Sequence, residues 1–419
     1  MIDLNFLHLP VTPHHNWSPV QATNPLKIQA ITTPKGSPSV HLDALRGIAA
    51  LGVLLAHWRG HLLRVPIHTH GGFLLKALYV VGSIGHQWVI VFFAMSGYLV
   101  GGSVLRSATS GRWSWRSYLF ARMTRLYMVL LPALLLGGLL DLYSTHLVGK
   151  ADFYTAVDLL HEDPPPDDSL PTLIGNTLFL QTIKPPLMGG AFVQSFGSNQ
   201  PLWSLCNEFW YYMAFPLLVL LFAKGRSWPT RAACVLGFAV LGWFVGARIA
   251  LLGIPWLMGA FITYLPPFPA HHKVLRTLAL IVAPLLTAAG IVLCGRSPIL
   301  IYGDLILGVI VTFLLWVTLT CATAPLPSIY VKLSTRMARS SYTLYLTHFP
   351  FLIFLKIVLA LPLFVVPNWH LFFLRLGFLP VIIIYSQLIY ELFEKRTDQV
   401  RKWLKPFVMG SKKLVVAPN

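Results

Sequence analysis

The chain has 419 residues, 56% of them hydrophobic and only 11% charged. A soluble domain carries about 25% charged residues, so this chain lacks the polar coat that a water-exposed fold of its length needs. Aromatic residues make up 13%, and glycine and proline follow no regular period, which excludes disorder, coiled coil and collagen. What remains is an all-α polytopic membrane protein.

Lys and Arg outnumber Asp and Glu by 32 to 14, a net charge of +18. In a soluble domain that balance would suggest nucleic acid. Here the basic residues sit in short loops between apolar runs, as the positive-inside rule requires, so no nucleic-acid partner is expected. Cys206, Cys234, Cys294 and Cys321 lie in apolar surroundings without Cys-x-x-Cys spacing. They read as small hydrophobes, not as a disulfide frame or a zinc site.

Residues 1–40 are rich in Pro, Thr, Asn and His and lack the basic start and apolar run of a signal peptide. They are expected to form a flexible cytoplasmic arm. The membrane domain follows over 41–394. Ten apolar stretches long enough to cross about 30 Å of hydrocarbon lie near 42–63, 77–101, 126–147, 202–223, 231–248, 252–268, 274–294, 301–321, 341–365 and 369–393. A shorter run, 171–183, is too brief to span and is expected to be re-entrant or interfacial. Residues 395–419 form a basic tail.

Orientation follows from the loops. The 105–125 segment carries Arg106, Arg112, Arg116, Arg122 and Arg125 and no acid, which marks it as cytoplasmic. Loop 148–170 carries Asp152, Asp158, Glu162, Asp163, Asp167 and Asp168 and belongs on the far side. An even number of spans then returns both termini to the cytoplasm.

Ionisable groups inside spans are costly, and each is a functional candidate. Arg46 and His57 are eleven residues apart in the first span. Eleven residues make three helical turns plus about 20°, so the two project from one face, about 16 Å apart along the axis. Arg46 can snorkel with Asp43, three residues earlier, as its partner. His57 is either a hydrogen-bonded core residue or a group able to take a proton near neutral pH.

Arg122 and Arg125, at i and i+3, point the same way from a helix start. They are either phosphate ligands or topology determinants. Within Gln200–Tyr212, Glu208 lies in an apolar run with Ser204 one turn before it and Tyr211 and Tyr212 one turn after. A buried carboxylate there faces a polar helix or a water-filled cavity, unless it serves only to pack helices together. Small residues at 94–97 suit close helix approach, and His348 is another imidazole inside a span.

Together these segments resemble the membrane acyltransferase-3 family. Arg46 and His57 have its Arg-x10-His form, and Arg122 and Arg125 its Arg-x-x-Arg form. The stretches Phe92–Leu99, Leu202–Glu208 and Ser341–His348 follow in the family's order, and Tyr390–Lys395 is similar to its closing helix. The resemblance covers roughly residues 40–400. Only residues 394–419 follow the last predicted span, so the likeness is to members without an SGNH hydrolase-like domain.

The resemblance implies O-acyl transfer, most often acetyl, from cytoplasmic acyl-CoA to a hydroxyl of a sugar-containing acceptor. Family acceptors are usually cell-surface polysaccharides or glycolipids, and a bacterial inner membrane is the expected setting. No metal or bound cofactor is implied; acyl-CoA is the donor substrate. His57 and Glu208 are implied as catalytic, and Arg46, Arg116, Arg122 and Arg125 as the acyl-CoA ligands. Asp43, Ser96, Trp203, Ser204, Tyr211 and His348 are implied in substrate binding. The rival class is a proton-coupled transporter or flippase, which buried Arg, His and Glu would also serve. Against it stand the missing inverted repeat and the arginine pair at the cytoplasmic mouth.

Overall fold

The computed structural model describes residues 36–63, 82–158, 164–187, 189–269, 271–362 and 369–409. The proposed arm lies almost wholly outside them, as do Glu162, Asp163 and residues 410–419 of the tail. The described chain is helical; its extended pairings are two isolated bridges, Asp167 with Phe196 and Gln181 with Val193.

The helices in chain order are α1 (Ser37–Leu62), α2 (Gly85–Thr109), α3 (Trp115–Val157), α4 (Leu170–Thr177), α5 (Leu202–Phe222) and α6 (Trp228–Phe261). There follow α7 (Lys273–Cys294), α8 (Leu300–Cys321), α9 (Ser328–Val358), α10 (Trp369–Leu376), α11 (Phe378–Leu392) and α12 (Thr397–Met409). Nine helical stretches among the described residues are long and apolar enough to cross a membrane. Their outer faces are apolar: α3 turns Leu131, Leu135, Leu139 and Leu142 outward, and α7 turns out Leu278, Val282, Leu285 and Leu293. Such surfaces belong in lipid.

Ten spans were expected where nine are found. The difference is α6, which takes in 231–248 and the start of 252–268 as one element. It is two helices joined by a kink at Gly246, whose φ of 78° and ψ of 166° are not helical, so the expected division of this stretch is present with its break at 246. A Cβ there would lie 2.4 Å from the carbonyl oxygen of Lys184, so both the backbone angle and the close approach require glycine.

The core is built around α2, which touches α1, α6 and α8, while α1 packs along α9 and α9 along α3. Where α2 crosses α6 the backbones nearly meet. A Cβ on Gly97 would fall 1.8 Å from the Trp256 carbonyl oxygen, and one on Gly259 would fall 1.9 Å from that of Ala94. The small residues at 94–97 therefore do what their size suggested. Gly97–Gly101 forms a π-helical turn inside α2, directly after Ser96. The four cysteines are buried and unpaired. The 171–183 run forms α4 and then folds inward, where buried Gln181 donates to the Leu202 carbonyl at 3.1 Å.

Candidate active site

A cavity of about 610 Å³ opens among the basic ends of the helices. Arg46 enters it from α1, Arg122 and Arg125 from α3, Arg339 from α9, and Lys395 and Arg401 from the C-terminal segment. Its acids are Glu208, Glu394 and Asp398, so cations outnumber carboxylates two to one on the wall. A further wall is α2 from Val89 to Val100, twelve residues and about 16 Å of helix axis.

Each charged group is steadied by neighbours. Arg46 Nη2 donates to Asp43 Oδ1 at 2.7 Å, one turn back on α1. Arg125 lies 3.8 Å from Glu394, whose other oxygen accepts from the Thr343 hydroxyl at 2.6 Å. The guanidinium carbons of Arg122 and Arg125 stand 6.0 and 5.9 Å from the ring centres of Tyr212 and Tyr342. Planar guanidinium groups held this way present fixed N–H forks to an anion, which suits phosphate.

Glu208 is one turn along α5 from Ser204, and its Oε1 accepts from Ser96 Oγ at 2.5 Å and from the Tyr212 hydroxyl. Trp256 Nε1 donates to the same Ser96 oxygen at 3.2 Å. Ser96 of α2, Tyr212 of α5 and, through Ser96, Trp256 of α6 thus converge on one carboxylate, in the wall of the arginine cavity.

The second element of the site is an imidazole pair. His57 Nδ1 lies 2.9 Å from His348 Nε2. His348 Nδ1 lies 2.9 Å from the carbonyl oxygens of Leu344 and Tyr345. Carbonyl oxygens only accept, so His348 carries its proton on Nδ1 and its Nε2 is an acceptor. His57 must then donate from Nδ1, which leaves the lone pair of the neutral ring on His57 Nε2. The tautomer of a prospective base is therefore set by a chain of hydrogen bonds ending on the α9 backbone. Phe349 meets the His57 ring edge-on at 4.9 Å.

The cavity and the pair adjoin at Tyr345. That residue lines the cavity, and its ring lies 6.2 Å from His348 and 5.7 Å from Phe92, another wall residue. On α2 the cavity ends at Val89, one turn from Gly85, where a Cβ would touch Ala56 beside His57.

The expected site residues divide accordingly. Arg46, Ser96, Arg122, Arg125, Ser204 and Glu208 share the cavity wall, whereas His57 and His348 form a pair off the wall that adjoins it through Tyr345. Glu208, expected to face a polar helix or a water-filled cavity, lines the cavity and is held by Ser96 and Tyr212. The other four expected residues also lie off the wall. Asp43 serves Arg46, and Arg116 is exposed on the first turn of α3. Trp203 stacks on His86 at 5.6 Å, and His86 Nε2 is 2.9 Å from both oxygens of buried Asp304. Tyr211 points into α6, donating to the Ile249 carbonyl at 2.8 Å. Tyr212, 100° further round the helix, is the one that reaches the cavity. Tyr342, Tyr345, Arg339, Glu394 and Arg401 were not expected there; their role depends on how α9 and the C-terminal segment fold back over α3.

A sequence model of the acyltransferase-3 family, described as an acyltransferase domain, matches residues 40–390. No curated protein and no solved structure matches the chain.

Proposed function

The chain belongs to the acyltransferase-3 family, and we propose that it moves an acyl group, acetyl in the first instance, from acyl-CoA to a hydroxyl of a sugar-containing acceptor. The carrying observation is that a cation-rich cavity reaches Tyr345, whose ring packs against His348, the hydrogen-bond partner of an imidazole whose tautomer suits a general base. A cell-surface polysaccharide or glycolipid is the acceptor class, and an inner plasma membrane, with the arginine end in the cytoplasm, is the setting.

In this reading the CoA phosphates bind Arg122 and Arg125, with Arg46, Arg339 and Arg401 around them. Arg116 has no part, because it stands outside the cavity. The pantetheine arm runs along α2 past Ser96 and Glu208, and the thioester reaches the Phe92–Tyr345 end. The acceptor oxygen attacks the thioester carbonyl carbon while His57 Nε2 takes the hydroxyl proton. The tetrahedral intermediate collapses, the C–S bond breaks, and the CoA thiolate recovers the proton from His57. Throughout, His57 Nδ1–H stays on His348, which steadies the imidazolium. Glu208 orders the wall through Ser96 and Tyr212 and does not exchange protons with His57.

Free thiol release tests this. Purified protein in liposomes, given acetyl-CoA and crude envelope glycan, should liberate CoA thiol in proportion to enzyme. Thioester left intact with acetyl and longer acyl donors overturns the reading and leaves a carrier in its place.

A further inference from the structure

We propose that Asn199 is a positioning residue for the imidazole pair, because it supplies the hydrogen bond that Pro350 takes away from the turn of α9 bearing His348. In an α-helix the carbonyl of Leu346 accepts from the N–H of residue 350. Residue 350 is proline and has no N–H. The Leu346 carbonyl is deeply buried, and a buried carbonyl without a donor is costly. Asn199, 2% exposed and 147 residues earlier, donates its side-chain Nδ2 to that oxygen at 2.9 Å. A carbonyl can only accept, so the amide must face it nitrogen first. The Asn199 Oδ1 has no donor of its own among the described residues, so the side chain is held from its nitrogen end.

This bond acts where the tautomer chain ends. Leu344 and Tyr345, whose carbonyls hold His348 Nδ1, precede Leu346 on the same turn. The direction in which those carbonyls point sets the direction of the His348 ring and, through it, of His57. The loop carrying Asn199 is itself anchored. The neighbouring Ser198 donates from both its N–H and its hydroxyl to buried Asp141 of α3, at 2.7 Å each. The Tyr345 hydroxyl adds a second tie, lying 2.7 Å from Ser204 Oγ and 3.3 Å from the Pro201 carbonyl. Residues 198–204 therefore clamp α9 to α3 and α5, and Asn199 is the member bonded to the proline-broken turn.

The test is a cycle of Asn199→Ala, Pro350→Ala and the double variant. Alanine at 350 restores a backbone N–H to the orphaned carbonyl, and Pro350 lies against Gly137, so the smaller side chain fits. The proposal rests on the acyl-transfer reading for its kinetic arm alone. In that arm Asn199→Ala should lower kcat about 10–100-fold with KM for acyl-CoA unchanged, and the double variant should recover most of the loss. In a second arm, selectively 15N-labelled histidine reports the protonated nitrogen of His348 without any turnover. The Nδ1–H signature should be present in wild type, blurred in Asn199→Ala and restored in the double variant. Thermal unfolding of all four proteins should show the same exchange, with the double variant more stable than the sum of the singles requires. Additive losses across the cycle, or an unchanged His348 signature in Asn199→Ala, overturn the proposal. Absence of turnover in wild type together with a restored signature in the double variant would refute the acyl-transfer reading and leave the positioning role standing.

Discussion

His57 Nδ1 stands 2.9 Å from His348 Nε2, a contact between residues 291 positions apart that joins α1 to α9. Because His348 Nδ1 is committed to two backbone carbonyls, the direction of donation along this contact is determined. Replacing His348 by alanine removes the acceptor and lets both His57 tautomers compete. Turnover should fall about 10–100-fold with KM for acyl-CoA little changed. Turnover equal to wild type would show that the pair is a packing contact.

The cavity makes the arginines unequal. Arg122→Ala and Arg125→Ala should each raise KM for acyl-CoA about tenfold, the loss of a charge-assisted hydrogen bond or two. Arg116→Ala should leave it unchanged, since that side chain is exposed and off the wall. Equal effects at all three positions, measured by initial rates against donor concentration, would mean that general surface charge and not the cavity attracts the donor.

At the crossing of α2 and α6, Gly97→Ala sets a methyl 1.8 Å from a backbone oxygen, which nothing short of moving a helix relieves. The variant should lose several kcal/mol of stability. Detergent-solubilised protein should show a lower Tm and reduced yield. Gly111→Ala, an exposed position with φ of 70° and open space around it, should cost only the backbone preference, about 1–2 kcal/mol. The contrast separates steric exclusion from backbone preference.

Outside the spans, Asp167 braces Ser169, the N-cap of α4, from two residues before it. Burial would raise its carboxyl, but the Thr172 hydroxyl and the Ser169 N–H, 2.9 Å away, override this and hold it below the usual carboxylate range. A carboxyl lowered in the folded state stabilises above its unfolded pKa, and that contribution disappears as pH falls through the folded one. Wild type should therefore lose its stability advantage over Asp167→Ala as pH drops below about 4, and keep it at neutral pH. Parallel Tm curves for the two proteins from pH 7 to pH 3 would contradict this role for Asp167.

Much of this was legible in the sequence because it is periodic or local. Arg46 and His57 on one face, Arg122 and Arg125 one turn apart, and Ser204 with Glu208 on a third helix all follow from 3.6 residues per turn. That Arg46, Arg122, Arg125, Ser204 and Glu208 share one cavity wall comes from the packing of the three helices, which periodicity does not give. The pairing of His57 with His348 did not follow, since nothing in either segment names its partner 291 residues away. Tyr211 and Tyr212 were equivalent by composition; only the rotation of α5 against α6 sends one to Ile249 and the other to Glu208. Arg116 was grouped with Arg122 and Arg125 by proximity in sequence, yet it sits nearer the exposed end of the same helix. The division of 231–268 into two segments has its counterpart in the kink at Gly246, where two helices meet, although the break falls before 248 and the pair runs on as one long apolar stretch.

The most direct measurement follows the fate of an acetyl label. Wild type and His57→Ala, reconstituted in liposomes with acetyl-labelled CoA and crude envelope glycan, are compared for thioester loss and for label in the glycan. The expected result is label in the glycan with wild type and a loss of about 10²–10⁴-fold with His57→Ala, while both proteins insert and bind donor equally. Equal labelling by the two proteins would remove His57 from the chemistry. Intact acetyl-CoA with wild type, whatever acceptor is supplied, would contradict acyl transfer itself.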